Sequence, residues 1–211
     1  MSRQIIPFVW SDNWDDEDNC AWFVDGEKNM LFYVDFKTKR CEFIAELPDE
    51  TMNKFRLNPR CIKCDEEIFC MPDIGECIWI YQLETSQFKK IEIDNPNKVR
   101  IAITNFVKIG EKLFAVSKGL KQILRIDIKR KIIEKYYNLG SFLDGEIAGS
   151  VIVGSELYCV SATTSYIFKI NLDTNKSEKY MLPNIRNKLH TICFDGEDFW
   201  LSGYCKELYV W

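Results

Sequence analysis

The chain has 211 residues, of which 46% are hydrophobic, 14% aromatic and 28% charged. That aromatic content excludes intrinsic disorder, and no apolar run exceeds about six residues, too few to span a bilayer. Lys+Arg 28 against Asp+Glu 32 leaves a net charge of −4, too small and too mixed to point to a nucleic-acid or membrane partner.

The chain opens on Met1-Ser-Arg-Gln-Ile-Ile-Pro7, which lacks the charged-then-apolar pattern of a secretory signal. Ile5-Ile-Pro-Phe-Val-Trp10 predicts a first strand. The acidic insertion Trp10-Ser-Asp-Asn-Trp-Asp-Asp-Glu-Asp-Asn19 predicts a solvated loop before the second strand. It lacks the glycine and the ligand spacing of a calcium-binding loop. Trp10 and Trp14 in it suit stacking on a sugar or peptide, or packing on the end of the first sheet.

From Trp22 onward the chain repeats itself. Trp22, Phe69, Phe114 and Tyr158 are each followed thirteen residues later by Asp35, Gln82, Asp127 and Asn171. The copies lie 47, 45 and 44 residues apart, and Trp200 starts a fifth after 42 more. Each copy predicts four short strands. The first is apolar and ends in a turn, as in Phe106-Val-Lys-Ile-Gly-Glu111 or Thr191-Ile-Cys-Phe-Asp-Gly196. The second carries the aromatic residue, as in Lys112-Leu-Phe-Ala-Val116. The third alternates, as in Ile78-Trp-Ile-Tyr81, and turns at the Asp, Gln or Asn, where an Asp or Asn side chain suits bonding the backbone two residues on. The fourth is more polar, as in Phe88-Lys-Lys-Ile-Glu-Ile93. No long stretch shows a helical stripe; Asp49–Lys54 and Asn184–Asn187 suit single helical turns at most.

Four strands in 40–50 residues is the pattern of a β-propeller blade. The carrying motif is an apolar strand, Asp-Gly-Glu or Ile-Gly-Glu, an aromatic strand, then Ile-x-x-Ile-Asp and Thr. It resembles the kelch-like and YVTN-like propeller repeats common in bacteria, without the kelch double glycine or, at the third strand, the Trp-Asp dipeptide of WD repeats. The expectation is one all-β domain over 1–211, with four-stranded blades at about 1–48, 49–94, 95–140, 141–183 and 184–211. The fifth blade reaches only its third strand, Glu207-Leu-Tyr-Val-Trp211, so four complete repeats and a truncated fifth are expected to form an open arc. Unpaired blade edges in such an arc invite self-association.

Propeller ligands bind at the mouth of the channel, where each innermost strand begins. Registering the first strands puts Arg60, Asn105, Ser150 and His190 at one equivalent position, with Pro7 in the first copy. These residues form the candidate ligand-binding set, with Arg and His suited to an anion or polar group. His190 is the sole histidine, so a histidine-based reaction would rest on it and a loop carboxylate such as Asp94, Asp144 or Glu146. Streptogramin-lyase-like propellers have a similar repeat, and that resemblance implies histidines, acidic groups and a divalent metal; one histidine departs from it.

Nine cysteines, at 20, 41, 61, 64, 70, 77, 159, 193 and 205, are odd in number and irregular in spacing, which points to free thiols in a cytoplasmic setting. Cys61-Ile-Lys-Cys64 with Cys70 and Cys77 has only one CxxC, and these positions align with core residues of the other copies, so apolar filling is expected over zinc. The basic residues Lys118, Lys121, Arg125 and Lys129–Lys131 alternate along strands and a hairpin tip, as a solvated surface does. The reading is a non-catalytic binding or scaffolding propeller for a protein or glycan partner, with no catalytic set, cofactor or metal assigned. The alternatives are a lyase- or hydrolase-type propeller using His190, or a fragment without activity of its own.

Overall fold

The computed structural model describes residues 14–15, 19–26, 28–48, 57–139, 147–182, 189–203 and 208–211. Among them every regular element is a strand. They fall into two compact units, Met1–Ala102 and Ile103–Trp211.

The first unit holds two four-stranded sheets. One comprises β1 (Trp14–Asp15), β2 (Cys20–Asp25), β3 (Met30–Asp35) and β4 (Arg40–Glu46). The other comprises β5 (Arg60–Cys64), β6 (Glu67–Met71), β7 (Cys77–Gln82) and β8 (Gln87–Glu92). In the second unit, β9 (Ile103–Ile109), β10 (Lys112–Ser117), β11 (Gln122–Asp127) and β12 (Ile132–Asn138) form one sheet. A second contains β13 (Ile147–Val153), β14 (Glu156–Ser161), β15 (Tyr166–Asn171) and β16 (Ser177–Met181). A third contains β17 (Leu189–Phe194), β18 (Phe199–Gly203) and β19 (Leu208–Val210), and so has three strands among the described residues. Within each sheet every strand pairs antiparallel with the next in the chain, the build of a propeller blade.

One reading is corrected. The acidic segment expected as a loop supplies β1, with Trp14 opposite Ala21 and Asp15 opposite Cys20. Asn19 allows this, because its backbone turns at φ 52°, a left-handed conformation Asn tolerates. The strand expected over Ile5–Trp10, with Pro7, and the turns at Asp49–Lys54 and Asn184–Asn187 lie outside the described residues.

The repeat has a concrete turn chemistry. Cys64 pairs with Glu67, Ile109 with Lys112 and Val153 with Glu156, so two residues make each first turn. Asp65, Gly110 and Gly154 open those turns at φ 54°, 57° and 60°, as tight hairpins demand. At the third-to-fourth turn the side chain reaches three residues on, and Asn171 Oδ1 also accepts from Asp173 N–H, the expected two residues on, at 3.2 Å. Asp35 Oδ1 accepts from Thr38 N–H at 3.0 Å, Asp127 Oδ1 from Arg130 N–H at 2.7 Å and Asn171 Oδ1 from Thr174 N–H at 2.8 Å. The longer reach follows from a four-residue loop whose last member, Lys39, Ser86, Lys131 or Asn175, sits at φ 54–59°. The residue after each Asp, Gln or Asn then donates to a carbonyl of the first turn: Phe36 to Asn19, Leu83 to Glu66, Ile128 to Glu111 and Leu172 to Ser155.

Burial of one sheet against the next builds the core. In the first unit Trp22, Val24 and Leu31 pack with Cys61, Ile68 and Cys70. In the second, Phe114, Val116 and Ile123 pack with Ile147, Leu157 and Cys159, and Tyr158, Val160 and Ile167 with Leu189, Ile192 and Leu201. Burying such side chains contributes roughly 1.5–3 kcal/mol each. Cys61, Cys64, Cys70 and Cys77 are all buried outside any disulfide, and Cys61 faces Cys70 across β5 and β6. Burial pushes the Cys70 and Cys159 thiols up to about 12, so both stay protonated as small apolar groups at neutral pH.

Candidate functional site

Antiparallel pairing gives every sheet two rims. At the leading rim the first strand begins, the second ends, the third begins and the fourth ends: Arg60, Met71, Cys77 and Glu92 share it in the second sheet. At the trailing rim lie the two-residue turns and the Asp, Gln or Asn turns.

At the trailing rim acids and bases pair with one another. Lys112 Nζ donates to Asp127 Oδ2 at 2.6 Å and to Glu134 Oε1 at 2.9 Å. Arg125 and Arg130 also face Glu134, at 3.2 and 3.8 Å, and Lys129 pairs with Glu111. The Lys112 ammonium and the Arg130 amide hold the Asp127 carboxyl down to about 2. At the same register Gln82 donates to Glu67 at 2.9 Å, and Lys169 pairs with Glu156 at 2.7 Å, which lowers the Glu156 carboxyl. Arg125, Lys129 and Arg130 of the basic run singled out in the sequence are thus matched by neighbouring acids.

The leading rim of the second unit brings expected residues together. Asn105 lies on β9 and donates from Nδ2 to the Ser150 carbonyl of β13. The β13 backbone in turn abuts β17. A Cβ on Gly149 would stand 2.8 Å from Thr191 Cα and 2.9 Å from the His190 carbonyl, so the close approach requires glycine there. Positions 105, 150 and 190 therefore sit on three successive first strands in contact. His190 is exposed, and Ser150 Oγ and Thr104 Oγ1 are buried without a hydrogen-bond partner among the described residues. This rim offers an amide, a hydroxyl and an imidazole to a polar group. Arg60 belongs to the first unit, half-buried at the start of β5 opposite Met71. Asp94 also belongs to the first unit, and Asp144 and Glu146 lie outside the described residues.

Sequence reasoning missed a cleft on the leading rim of the first unit. The loop joining β6 to β7 and the loop after β8 enclose about 370 Å³, lined by Ile74, Glu76, Asn95, Lys98, Val99 and Arg100 among others. Asp73 is buried, and both of its carboxylate oxygens accept from Arg100, from Nε and Nη2 at 2.7 Å. Asn95 closes the second loop on itself, accepting from Val99 N–H at 3.1 Å and donating to Val99 O at 2.7 Å. The cleft combines exposed Ile74 and Val99 with two acids and two bases. The signal in the sequence was the turn cluster Asp94-Asn-Pro-Asn97, which marks a loop but not the opposing wall.

No family model matches the sequence, and no curated protein matches it. Solved structures do. A virginiamycin B lyase from Staphylococcus aureus superposes with a TM-score of 0.69 at 18% identity over 90% of this chain. A catalytically inactive variant of that lyase with quinupristin gives 0.68 at 18% identity. The chain spans 61% of the length of each lyase. A chain of the mitotic checkpoint complex gives 0.69 at 10% identity, over 98% of this chain and 62% of that one. The extracellular domain of a one-component system from B. thetaiotaomicron gives 0.67 at 14% identity, over 92% of this chain and 26% of that one. These likenesses establish the fold, an all-β propeller architecture.

Proposed function

We propose that the protein is a non-catalytic binding propeller whose leading rim takes a protein or glycan partner, with a repeat of the kelch-like or YVTN-like kind. The observation that carries this reading is the cleft of the first unit. Its Arg100 guanidinium is held in place by buried Asp73, and its exposed Ile74 and Val99 offer apolar contact beside charge. Preorganised polar groups next to apolar surface are what recognition of a polar chain molecule needs. In the second unit, Asn105, Ser150 and His190 offer a separate set of polar groups on successive first strands; Arg60 starts β5 in the first unit. Support from kinship is architectural: the similar folds include a component of a protein assembly and an extracellular domain. Many buried free thiols suit a reducing, cytoplasmic setting. Probing a glycan array and a random peptide library with the protein tests the reading. Hits lost in Arg100→Ala, with an unchanged melting curve, support it; no selective hit, or hits indifferent to Arg100, sinks it.

A second reading is favoured by one observation, the exposed His190 on a rim shared with Asn105 and Ser150 in a fold that also serves a lyase. In it His190 acts as acid or base. Turnover of any compound in a substrate panel, abolished by His190→Ala with folding intact, would favour this enzyme over the binding module.

A further inference from the structure

Four charged residues line the cleft of the first unit. Glu76 lies on the loop joining β6 to β7, Glu92 at the end of β8, and Lys98 and Arg100 on the loop after β8. Two of the four are matched within the chain: Glu92 pairs with Lys90 at 2.7 Å, and Arg100 is held by buried Asp73. Glu76 and Lys98 are exposed and make no ion pair among the described residues. The cleft therefore presents one uncommitted negative charge and one uncommitted positive charge, on opposing loops.

Its apolar lining is aliphatic. Exposed Ile74 and Val99 supply it, one from each loop, and no aromatic side chain lines the cleft among the described residues. An uncharged sugar ring would meet no aromatic face to stack on, and would cover two charges without matching either. A peptide answers each group. An aliphatic side chain packs on Ile74 and Val99, a base meets Glu76 and an acid meets Lys98. Arg100 gives two of its five N–H donors to Asp73 and its side chain is 57% exposed, which leaves donors for a main-chain carbonyl. The walls are already ordered, since Asp73 fixes Arg100 and Asn95 pins the loop carrying Lys98 through two hydrogen bonds with Val99. The enclosed volume, about 370 Å³, is at the small end for ligand pockets and suits a short segment.

We propose that this cleft binds a short peptide segment of a partner protein, in which an aliphatic residue is flanked by a base and an acid. Glu76 reads the base and Lys98 the acid. This rests on the reading of the cleft as a binding site, and narrows the partner from protein or glycan to a mixed-charge peptide.

Blocked peptides titrated against the intact chain, followed by its amide chemical shifts, test this. The panel is Gly-Lys-Leu-Glu-Gly, the reversed Gly-Glu-Leu-Lys-Gly, and the same frame with Lys on both sides or Glu on both sides of Leu. Wild type is expected to bind one mixed-charge order tightest and the single-sign peptides about fivefold more weakly, the size an exposed ion pair gives. Glu76→Lys is expected to move the preference to the peptide with two Glu, and Lys98→Glu to that with two Lys. Both positions are exposed, so melting curves are expected to stay unchanged. Combining Glu76→Lys with Lys98→Glu is expected to reverse the preferred order. A charge preference that survives these substitutions overturns the proposal, and so does selective binding of a glycan alone. In either case, binding that Arg100→Ala abolishes leaves the cleft standing as a binding site. No selective binding of any peptide or glycan overturns both.

Discussion

Asn58 and Gly75 meet so closely that a β-carbon on Gly75 would stand 2.4 Å from Asn58 Oδ1. Asn58 is fully buried and donates from Nδ2 to the carbonyls of both Cys70 and Cys77, each at 3.0 Å. The amide thus ties the end of β6 to the start of β7, while Gly75 and Asp73 N–H groups return to the Leu57 carbonyl at 2.9 and 2.8 Å. One wall of the cleft hangs from this knot.

Asn58→Ala removes a donor shared by two buried carbonyls and is expected to cost about 1–3 kcal/mol. Gly75→Ala is expected to destabilise as well, since its β-carbon also meets the Leu57 carbonyl at 2.9 Å. Urea unfolding of both variants checks this; unchanged midpoints would show that the loop adapts.

Asp127 gives a pH dependence with a definite sign. Its carboxyl is held at about 2 by Lys112 and the Arg130 amide, below the ordinary 3.8. A depressed folded value stabilises above pH 3.8, and that contribution is lost as pH falls through about 2. Asp195 behaves likewise, held at about 2 by the Asp198 and Glu197 amides and the Trp200 indole. Melting temperature followed from pH 5 to 2 is expected to fall less steeply in Asp127→Asn than in wild type, roughly in proportion to the proton uptake removed.

Tyr137 joins two sheets of the second unit. Its hydroxyl donates to the Leu172 carbonyl at 2.7 Å, and the side chain is 1% exposed. Tyr137→Phe deletes this buried hydrogen bond and the acceptor of Arg125 Nη1 at 3.4 Å without a cavity, and is expected to cost about 1–2 kcal/mol in chemical denaturation.

Gly149→Ala forces a methyl group into the Thr191 and His190 backbone and is expected to separate β13 from β17. Faster hydrogen exchange confined to these two strands is the expected signature, with β5–β8 unaffected.

Thiol reactivity divides by burial. In dilute protein Cys41 and Cys193 are expected to label readily, whereas Cys70 and Cys159, pushed up to about 12, label only on unfolding. Peptide mapping after timed alkylation measures it.

Much of the fold was legible because a repeat exposes its own registration. The thirteen-residue offset from Phe114 to Asp127 holds since β10 and the end of β11 pair residue for residue, with Lys112 opposite Asp127. The alternation read along the third strands does not tell which residues are buried, because the sheet is covered on both faces and Ile123 and Leu124 are both fully buried. The acidic stretch was misread because β1 spans only Trp14–Asp15, too short for any periodicity to show. The site was less legible. Symmetry put Asn105 and Ser150 at equivalent positions of first strands, and they meet there, but Asp73 and Arg100 are 27 residues apart on loops that obey no repeat.

The order of side chains along this chain determined a strand rhythm and the turn residues, since these depend on neighbours a few positions away. Which loops enclose a cleft, which acid holds Arg100 and that Glu76 and Lys98 line the same cleft were decided by the tertiary structure alone. Those outcomes depend on which surfaces sheet packing brings opposite one another, and local sequence carries no record of that distance.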